Sequence, residues 1–393
     1  MVFEVLPGDI VEIAAFLSMA SIFALLTLGL NLQWGHTGLF NAGIAAFFAL
    51  GAYAAAILMT PPSPPLPGVY PGHLGGYSMP FLVAVGGSAL LAAIAGLLIA
   101  IPTLRLRADY LAIATLGLSE VLRLYLNNDE PRTGGTYGIY QIPKLFPEYG
   151  FTPHQVEVLT AVVAVILLVV VLALLQYVGS SPWARVLKAV REDEDAAEVL
   201  GKDTFKVKLQ AFVIGCAIMG VAGSLFTVFL AFVEPVTSFR PLTTFTVWAM
   251  LILGGSGNHR GAVFGAFLFW SFEWITVRVS LFAGGTARPS FDQIDLMMAV
   301  VTIETIILLW FLLWPRWRKR SIGRFLGVSA AILAAENLLL ASLLFVRLPP
   351  WLLERLALIR LMVVGLLIVL IVMYRPQGVI PERLQTIWRE RPV

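Results

Sequence analysis

Apolar runs of membrane-spanning length constrain the fold of this chain more than any other feature of its sequence. A helix needs about 20 consecutive apolar residues to cross the hydrocarbon core of a bilayer. About eleven such runs lie at 11–30, 38–59, 80–101, 110–126, 156–178, 209–232, 241–257, 261–283, 292–314, 324–346 and 355–374. The runs at 110–126 and 241–257 are short enough to be half-crossings or broken helices. The sequence therefore predicts an all-α integral membrane protein, a polytopic bundle of about 9–11 transmembrane helices.

Composition supports the same fold class. Only 13% of the 393 residues are charged, whereas 59% are hydrophobic. A soluble domain carries about 25% charged residues, so these values exclude a water-soluble enzyme and a disordered chain. The formal net charge of +3 needs no nucleic-acid surface to explain it, because basic residues of membrane proteins collect in cytoplasmic loops. We expect the lipid bilayer, and no nucleic acid, as a partner.

The distribution of basic residues predicts the orientation. They cluster in alternate connections, which face the cytoplasm by the positive-inside rule: Arg105, Arg107, Arg185, Lys188, Arg191, Lys202, Lys206, Lys208, Arg316, Arg318, Lys319, Arg320 and Arg324. With about eleven crossings the amino terminus lies outside and the carboxyl terminus lies in the cytoplasm. Arg347, Arg355 and Arg360 are exceptions on the outward side. No cleavage site follows the first run, so we expect it to remain as a spanning helix.

The connection at 60–78 is rich in proline and glycine and has no Lys or Arg. Repeated prolines forbid a helix, so this stretch is an extracytoplasmic loop. It either touches a partner outside the membrane or only joins two spans.

The basic connection at 179–208 is polar, yet it has helical periodicity. Ser181 and Pro182 supply an N-cap and a first-turn proline. An apolar face comprises Val186, Ala189, Val190, Ala197 and Leu200, and a charged face comprises Arg191, Glu192, Glu194, Asp195 and Glu198. Gly201 ends the predicted helix. Such a helix either lies on the membrane or fits a groove in a partner, and its acidic face argues against simple adhesion to anionic lipid.

Within this connection, Asp195-Ala196-Ala197 followed by Gly201 resembles the EAA-x-x-x-G signature of ABC importer permeases, with Asp in place of Glu. In that family the helix couples the permease to an ATPase. The Leu-Pro that follows the signature is absent here, which is typical of a divergent branch. The resemblance implies a coupling surface that contains Arg191, Glu192, Asp195, Ala196, Ala197 and Gly201.

Two glycine-rich breaks interrupt the apolar runs. Residues 31–43 read NLQWGHTGLFNAG, and residues 254–261 read GGSGNHRG. Non-helical backbone at membrane depth is tolerated where it lines a cavity, and transporters place substrate sites there. The candidates for the translocation pathway are therefore Gly35, Thr37, Gly38, Asn41, Gly254, Gly255 and Gly257. A tight cytoplasmic turn is an equal alternative for the first break, and the likeness of the two breaks fits either a duplication or shared packing glycines.

An outward polar loop adds Thr133, Gly134 and Gly135 to the pathway candidates, as either a gate or a turn. Ionisable residues within spans also mark pathways. Glu120 and Arg123 lie three residues apart on one helical face and can pair, unless the helix ends in water near Arg123. Together with Glu273 and Glu304, Glu120 would suit an ion-coupled secondary transporter.

Several motifs of enzymes are missing from the sequence. No G-x-x-x-x-G-K-[ST] phosphate loop occurs, so we expect any ATP to be bound by a partner. The histidines at 36, 73, 154 and 259 have no metal-ligand spacing, and no nucleophile motif occurs. We therefore expect a transport subunit without catalytic residues, metal or cofactor of its own.

Separate stretches resemble the branched-chain amino-acid permease family of ABC importers, in its LivM-type branch. In order, they are GLNLQWGHTGLFNAGIAAFFALGAYAAA, LRADYLAIATLGLSEVLRL, TGGTYGI, SPWARVLKAVREDEDAAEVLGKDTFKVKLQAFVI, LILGGSGNHRGAVFGA and YRPQGVIPE. The resemblance covers most of 28–380 and implies one permease domain over 1–393. Two features depart from the usual family pattern, namely a longer loop at 60–78 and an extra apolar run at 324–346. The extra run belongs to 321–393, the segment of carboxyl-terminal spans and tail.

The resemblance also implies partners and a substrate. Members of the family lie in the inner (plasma) membrane. They work with a LivH-type second permease, two ATPase subunits that bind ATP and Mg, and an extracytoplasmic amino-acid-binding protein. It imports Leu, Ile and Val, although similar permeases serve urea and other amino acids.

Overall fold

The computed structural model of the protein describes residues 8–61, 72–146, 150–283, 362, 365, 366, 369, 373 and 377–382. The longer helices in these ranges are α1 (Gly8–Leu30), α2 (Ile44–Met59), α3 (Phe81–Thr103), α4 (Ala108–Asn128), α6 (Pro153–Gly179), α7 (Pro182–Glu192), α9 (Thr204–Leu230), α11 (Pro241–Gly254) and α12 (His259–Ala283). The short helices are α5 (Glu130–Thr133), α8 (Glu194–Val199) and α10 (Pro235–Ser238). A π-helical turn, Asn31–Gly35, continues α1, and a 3-10 turn spans Gly135–Tyr137.

Five described helical segments are long and apolar enough to cross a membrane: Ile10–Gly35, Phe81–Thr103, Pro153–Gly179, Thr204–Leu230 and Pro235–Gly254. The apolar helix α2 is shorter than these five segments. Two short strands, β1 (Ile139–Tyr140) and β2 (Phe232–Val233), form the sheet structure of the described residues. The prediction of an all-α polytopic membrane protein is confirmed. The predicted runs at 292–314 and 324–346 lie outside the described residues, as do nearly all of 355–374 and residues 62–71 of the 60–78 loop.

The observed helices correct two predicted spans. The run at 38–59 becomes a helix only from Ile44, because residues 38–43 are non-helical. The run at 110–126 is neither broken nor half-length, since α4 is a continuous helix of 21 residues. By contrast, α11 has only 14 residues.

Close backbone packing places α9 at the centre of the described bundle. It contacts α1, α2 and α3, and its glycines let the neighbouring backbones approach. A Cβ built on Gly223 would lie 2.5 Å from the backbone nitrogen of Ala52, and one on Gly220 would lie 2.5 Å from the carbonyl oxygen of Ser88. Small residues serve this purpose in membrane helices, where van der Waals packing drives association. In contrast, α3 and α6 expose apolar side chains such as Leu82 and Tyr177.

The two ends of the bundle carry different structures. At one end, the connection with α7 and α8 meets the two glycine-rich breaks. The guanidinium of Arg105 also lies here, 5.9 Å from the ring centroid of Phe205. At the other end, β1 pairs antiparallel with β2 in the register Ile139↔Val233 and Tyr140↔Phe232. The predicted cytoplasmic connections that the structure describes, near Arg105 and at 179–208, therefore share one end of the bundle.

Candidate functional site

The predicted single helix of the 179–208 connection consists of two helices, α7 and α8, so that prediction was wrong. Ser181 caps α7 as predicted, and its hydroxyl oxygen accepts from the backbone nitrogen of Ala184 at 3.4 Å. Asp193 then adopts extended backbone with φ −156° and ψ 106°. Its carboxylate accepts from the backbone nitrogen of Ala196 at 3.0 Å. A second N-cap in mid-sequence thus starts α8 as a separate helix.

The buried face of this connection also differs from the predicted one. Ala184, Leu187, Val190 and Ala197 are buried, whereas Ala189 is exposed and Leu200 is 78% exposed. The stop at Asp193 turns α8 away from the line of α7, and Leu200 follows the end of α8. The prediction missed Leu187. The spacing of three residues from Ala184 through Leu187 to Val190 is the sequence signal that could have found it.

The Asp-Ala-Ala-x-x-x-Gly segment forms the outer tip of the connection. Asp195 and Ala196 are exposed, and Ala197 packs inward. Gly201 turns the chain with φ +77°, a conformation in which side-chain-bearing residues are strained, and no atom of the described residues lies within 4 Å of a Cβ built there. Val199 and Leu200 are 88% and 78% exposed. The tip therefore offers an apolar pair beside acidic residues.

Polar contacts fix α8 to the start of α9. Lys208 forms an ion pair with Glu194, and the Thr204 hydroxyl donates to Glu198 at 2.7 Å. Asp203 caps α9, and its ion pair and backbone hydrogen bond with Lys206 lower the pKa of the Asp203 carboxyl. The contacts of Glu194 and Glu198 with α9 hold the tip in a defined position.

Arg191 connects α7 to the first glycine-rich break. Its guanidinium donates from Nη1 to the carbonyl oxygen of Gly35, and it donates from Nη2 to Glu192 at 2.7 Å. A Cβ on Gly38, which has φ +72°, would lie 3.4 Å from Cγ of Arg191. The Thr37 hydroxyl donates to the carbonyl oxygen of Gln33. Gly35, Thr37 and Gly38 thus lie where the first helical segment ends, at the same end as α7.

Asn41 is a fully buried residue of the first break whose hydrogen bonds join several segments. Its side-chain nitrogen donates to Oε1 of Gln33 at 2.8 Å, and its Oδ1 accepts from the backbone nitrogen of Gly43 at 2.8 Å. Its backbone carbonyl accepts from the indole nitrogen of Trp248 at 3.0 Å. Thr115 of α4 accepts from the backbone nitrogen of Ala42 nearby. Polar groups from α1, α4 and α11 therefore meet around this residue.

The second break packs directly against the first. Oδ1 of Asn31 accepts from the backbone nitrogen of Gly257 at 2.8 Å, and Nδ2 of Asn31 donates to Nδ1 of His259 at 3.1 Å. The His36 and His259 rings stack with centroids 4.4 Å apart. Burial lowers the pKa of His36, against the opposing effect of its hydrogen bond to the Asn31 carbonyl. The sequence suggested a likeness between the breaks but not this contact.

The three candidate glycines of the second break, Gly254, Gly255 and Gly257, allow close backbone approach. A Cβ on Gly254 would lie 2.8 Å from the carbonyl carbon of Gly261 on α12. Gly255 and Gly257 have φ of +113° and +81°. A Cβ on Gly257 would lie 2.6 Å from Oε2 of Glu382.

Glu382 is a site residue that sequence reasoning missed. Its Oε1 lies 2.6 Å from Nζ of Lys188, and its Oε2 lies 2.9 Å from Nη1 of Arg191. Burial would raise the pKa of this carboxyl, but the hydrogen bonds from Lys188 and Arg191 lower it below its ordinary value. Glu382 lies in the YRPQGVIPE stretch that resembles the family, but nothing in the spacing of that stretch indicates a contact with α7.

The remaining pathway candidates lie apart from the junction, by which we mean the region where the two glycine-rich breaks, α7 and Glu382 meet. Thr133, Gly134 and Gly135 close the opposite end of α4, where the Thr133 hydroxyl donates to the carbonyl of Leu126 at 2.6 Å. Gly134 and Gly135 have φ of +74° and +56°, so they form a turn. On α4, Arg123 and Glu120 form the predicted ion pair, with Nη2 and Oε1 2.5 Å apart. The side chain of Glu120 is 38% exposed in this pair.

The fold and the junction define a multi-pass membrane protein of the permease class. Apolar helices cross from end to end, glycine-rich turns break them at one end, and a compact helix pair projects there. The family described as branched-chain amino acid transport system / permease component matches residues 12–309. The chain belongs to this family, as the sequence resemblance predicted.

Named relatives extend the comparison. The chain is 35% identical over 272 residues to the high-affinity branched-chain amino acid transport system permease protein LivM of Escherichia coli, covering 64% of this chain and 60% of the relative. It is 26% identical to the probable LivM of Methanocaldococcus jannaschii, with 65% and 79% covered. The E. coli permease protein LivH is 26% identical, with 64% and 80% covered. The match thus spans about three-fifths of the E. coli LivM length, and no solved structure matches the chain.

Proposed function

We propose that this chain is a permease subunit of an ABC importer and forms part of the transmembrane pathway for Leu, Ile and Val. The family match over residues 12–309 carries the proposal. The LivM and LivH relatives are named for branched-chain amino acid transport. The α7–α8 pair adds a structural argument, because a docking element must be held firmly on one side and exposed on the other.

Two ATPase subunits, which bind ATP and Mg, are the proposed partners of the exposed tip. Val199 and Leu200 would enter an apolar groove, while Glu192 and Asp195 would meet basic residues at its rim. Ala196 adds no bulk, which permits close approach. In this arrangement the chain itself hydrolyses nothing and holds no cofactor.

A LivH-type second permease and a binding protein complete the proposed importer. The exposed apolar side chains of α3 and α6 suit either lipid or a second permease. The end with β1, β2 and Thr133–Gly135 would receive an extracytoplasmic amino-acid-binding protein. Arg105, Lys188 and Arg191 lie at the other end, and these basic residues support a cytoplasmic position for α7 in the inner membrane, with the amino terminus outside.

The proposed path runs past the polar groups around Asn41. Gln33, Thr115 and Thr244 accompany it between apolar helices, an arrangement that could orient a small zwitterion. As the ATPases dimerise, α7 moves and the spans reorient about the glycine turns at Gly35, Gly38, Gly254, Gly255 and Gly257. The hydrogen bonds of Asn41 would then exchange for contacts with the substrate.

Copurification from the native membrane tests this function. The tagged chain should recover a second permease and an ATPase, and the Asp195→Ala and Gly201→Val variants should lose the ATPase. Glu130→Gln, an exposed carboxylate at the opposite end, is the matched control and should retain all partners. Competition uptake assays with leucine and urea then identify the substrate.

A wild-type chain that purifies alone and transports under a proton or sodium gradient would overturn the proposal. That outcome would favour an ion-coupled secondary transporter in which Glu120 takes part. The ion pair of Glu120 with Arg123 then becomes the first group to test.

A further inference from the structure

A single guanidinium joins three segments that are distant in the sequence. Nη1 of Arg191 donates both to the carbonyl of Gly35 at the end of the π-helical turn and to Oε2 of Glu382. Its side chain is 21% exposed. The planar guanidinium offers several donors in a fixed fork, so it can serve two acceptors at once. Arg191 therefore links α7 to the end of α1 and to the carboxyl-terminal segment.

Glu382 is held by two cations of the same helix. Lys188 and Arg191 lie three residues apart, so they occupy one face of α7, and each contacts a different oxygen of the carboxylate. The Glu382 side chain is only 16% exposed. Charge-assisted hydrogen bonds of this kind are about twice as strong as neutral ones. The contact fixes the position of α7 better than an exposed ion pair would.

The segment that carries Glu382 is bound to the second break. The backbone nitrogens of Val379 and Ile380 donate to the carbonyls of Leu253 and Gly254 at 3.0 and 2.9 Å. Nδ2 of Asn258 donates to the carbonyl of Pro381 at 3.2 Å. Residues 377–382 are therefore hydrogen-bonded to the end of α11, and the side chain of Glu382 reaches from this segment to α7.

From these contacts we infer that Arg191 and Glu382 are positioning residues that transmit the movement of α7 to both glycine-rich breaks. The inference rests on the proposed importer function and adds the route of coupling within this chain. A displacement of α7 pulls on the Gly35 carbonyl, and through Glu382 it pulls on the end of α11. Because Asn31 ties Gly257 to the end of α1, the two breaks move as one unit.

The test uses the complete importer in proteoliposomes, with both permeases, both ATPases and the binding protein. The measured quantity is the amount of radiolabelled leucine imported per ATP hydrolysed. This ratio does not change when a variant only lowers the amount of folded complex. Glu382→Gln should assemble and hydrolyse ATP, yet its ratio of leucine imported to ATP hydrolysed should fall by roughly fivefold or more. A change of that size corresponds to a typical coupling free energy between two sites. Glu382→Asp keeps the charge and should restore part of the ratio.

Asp203→Asn is the matched control. Asp203 pairs with Lys206 in the same connection, but this pair lies within one helical turn and joins no other segment of the described part of the chain. Its ratio should equal that of the wild type. A wild-type ratio in Glu382→Gln, or an equal loss in Asp203→Asn, would overturn the inference.

Two further outcomes are decisive. If Glu382→Gln does not assemble, Arg191→Lys replaces it, because lysine retains the charge but its side chain is one bond shorter than the path to Nη1, so its ammonium does not reach both the Gly35 carbonyl and Glu382. A normal ratio in that variant contradicts the inference. If the wild-type complex shows no ATP-dependent uptake, the proposed function fails and the coupling route falls with it.

Discussion

Asn31 and Gly257 are 226 positions apart in the chain, yet the side-chain oxygen of Asn31 accepts from the backbone nitrogen of Gly257 at 2.8 Å. The nitrogen of the same amide donates to Nδ1 of His259. Both ends of one amide are therefore used to join the two breaks. Because His259 accepts at Nδ1, its ring is neutral in this arrangement.

Asn31→Ala should destabilise the junction more than its loss of volume implies. It leaves the Gly257 N–H and the His259 nitrogen without their partner, and an unsatisfied buried group costs about 1–3 kcal/mol. Thermal unfolding of the purified protein in detergent measures the effect. Ser18→Ala is the control, since in the part of the chain that the structure describes its hydroxyl donates to the Ala14 carbonyl within α1 and joins no second helix. Equal melting temperatures of the two variants would contradict this role of Asn31.

Gly223→Ala should separate α9 from α2. The new Cβ would lie 2.5 Å from the backbone nitrogen of Ala52 and 2.9 Å from the backbone carbon of Gly51, so the helices must shift. Overpacking of this kind costs typically about 1–3 kcal/mol. The melting temperature should fall, and uptake should fall with it.

Gly117→Ala is the matched control for that packing. Within the described ranges, no atom lies within 4 Å of a Cβ built on Gly117 of α4, and alanine favours a helix by about 1 kcal/mol over glycine. This variant should be as stable as the wild type or more so. A loss of stability in Gly117→Ala that equals the loss in Gly223→Ala would show that glycine packing is not the cause.

Much of the fold could be predicted from local pattern, while the junction could not. Apolar length alone located α3, α6 and α9, and Ser181-Pro182 located the start of α7. The stop at Asp193 was missed because an apolar periodicity continues past it. The meeting of Asn31, Gly257 and Glu382 depends on packing between distant segments, which a single sequence does not encode in its spacing.

Gly201→Val should impair uptake, whereas Gly201→Asn should retain most of it. The cause is backbone conformation, since φ is +77° and the space around Gly201 is open. The left-handed conformation costs about 1–2 kcal/mol for ordinary residues, and asparagine tolerates it best after glycine. Uptake per ATP hydrolysed in the reconstituted importer distinguishes the variants. Equal activity of the two would remove the turn at Gly201 from the coupling surface.

Asn41→Leu should abolish most uptake while the subunits still assemble. The change removes the amide that contacts Gln33 and Gly43 and leaves an apolar side chain at the proposed path. Uptake of leucine and copurification of partners are measured on the same preparation. Asn128→Leu serves as the control, because the partner of that exposed amide among the described residues is the Leu124 carbonyl on its own helix. Normal uptake by Asn41→Leu would exclude Asn41 from the path.

The contact of Glu382 with α7 should persist at every pH at which the importer works and should weaken only in acid. The pKa of Glu382 is lowered in the folded chain from the ordinary value of 4.5. A group with a lowered pKa stabilises the fold above its unfolded pKa, and this contribution disappears as the pH falls through the folded pKa. The difference in melting temperature between the wild type and Glu382→Gln should therefore be constant between about pH 8 and pH 6. It should shrink once the pH falls below 4.5. A difference that already shrinks between neutral pH and about pH 6 would point to a histidine, and His36 beside Lys188 and Arg191 would be the first to replace.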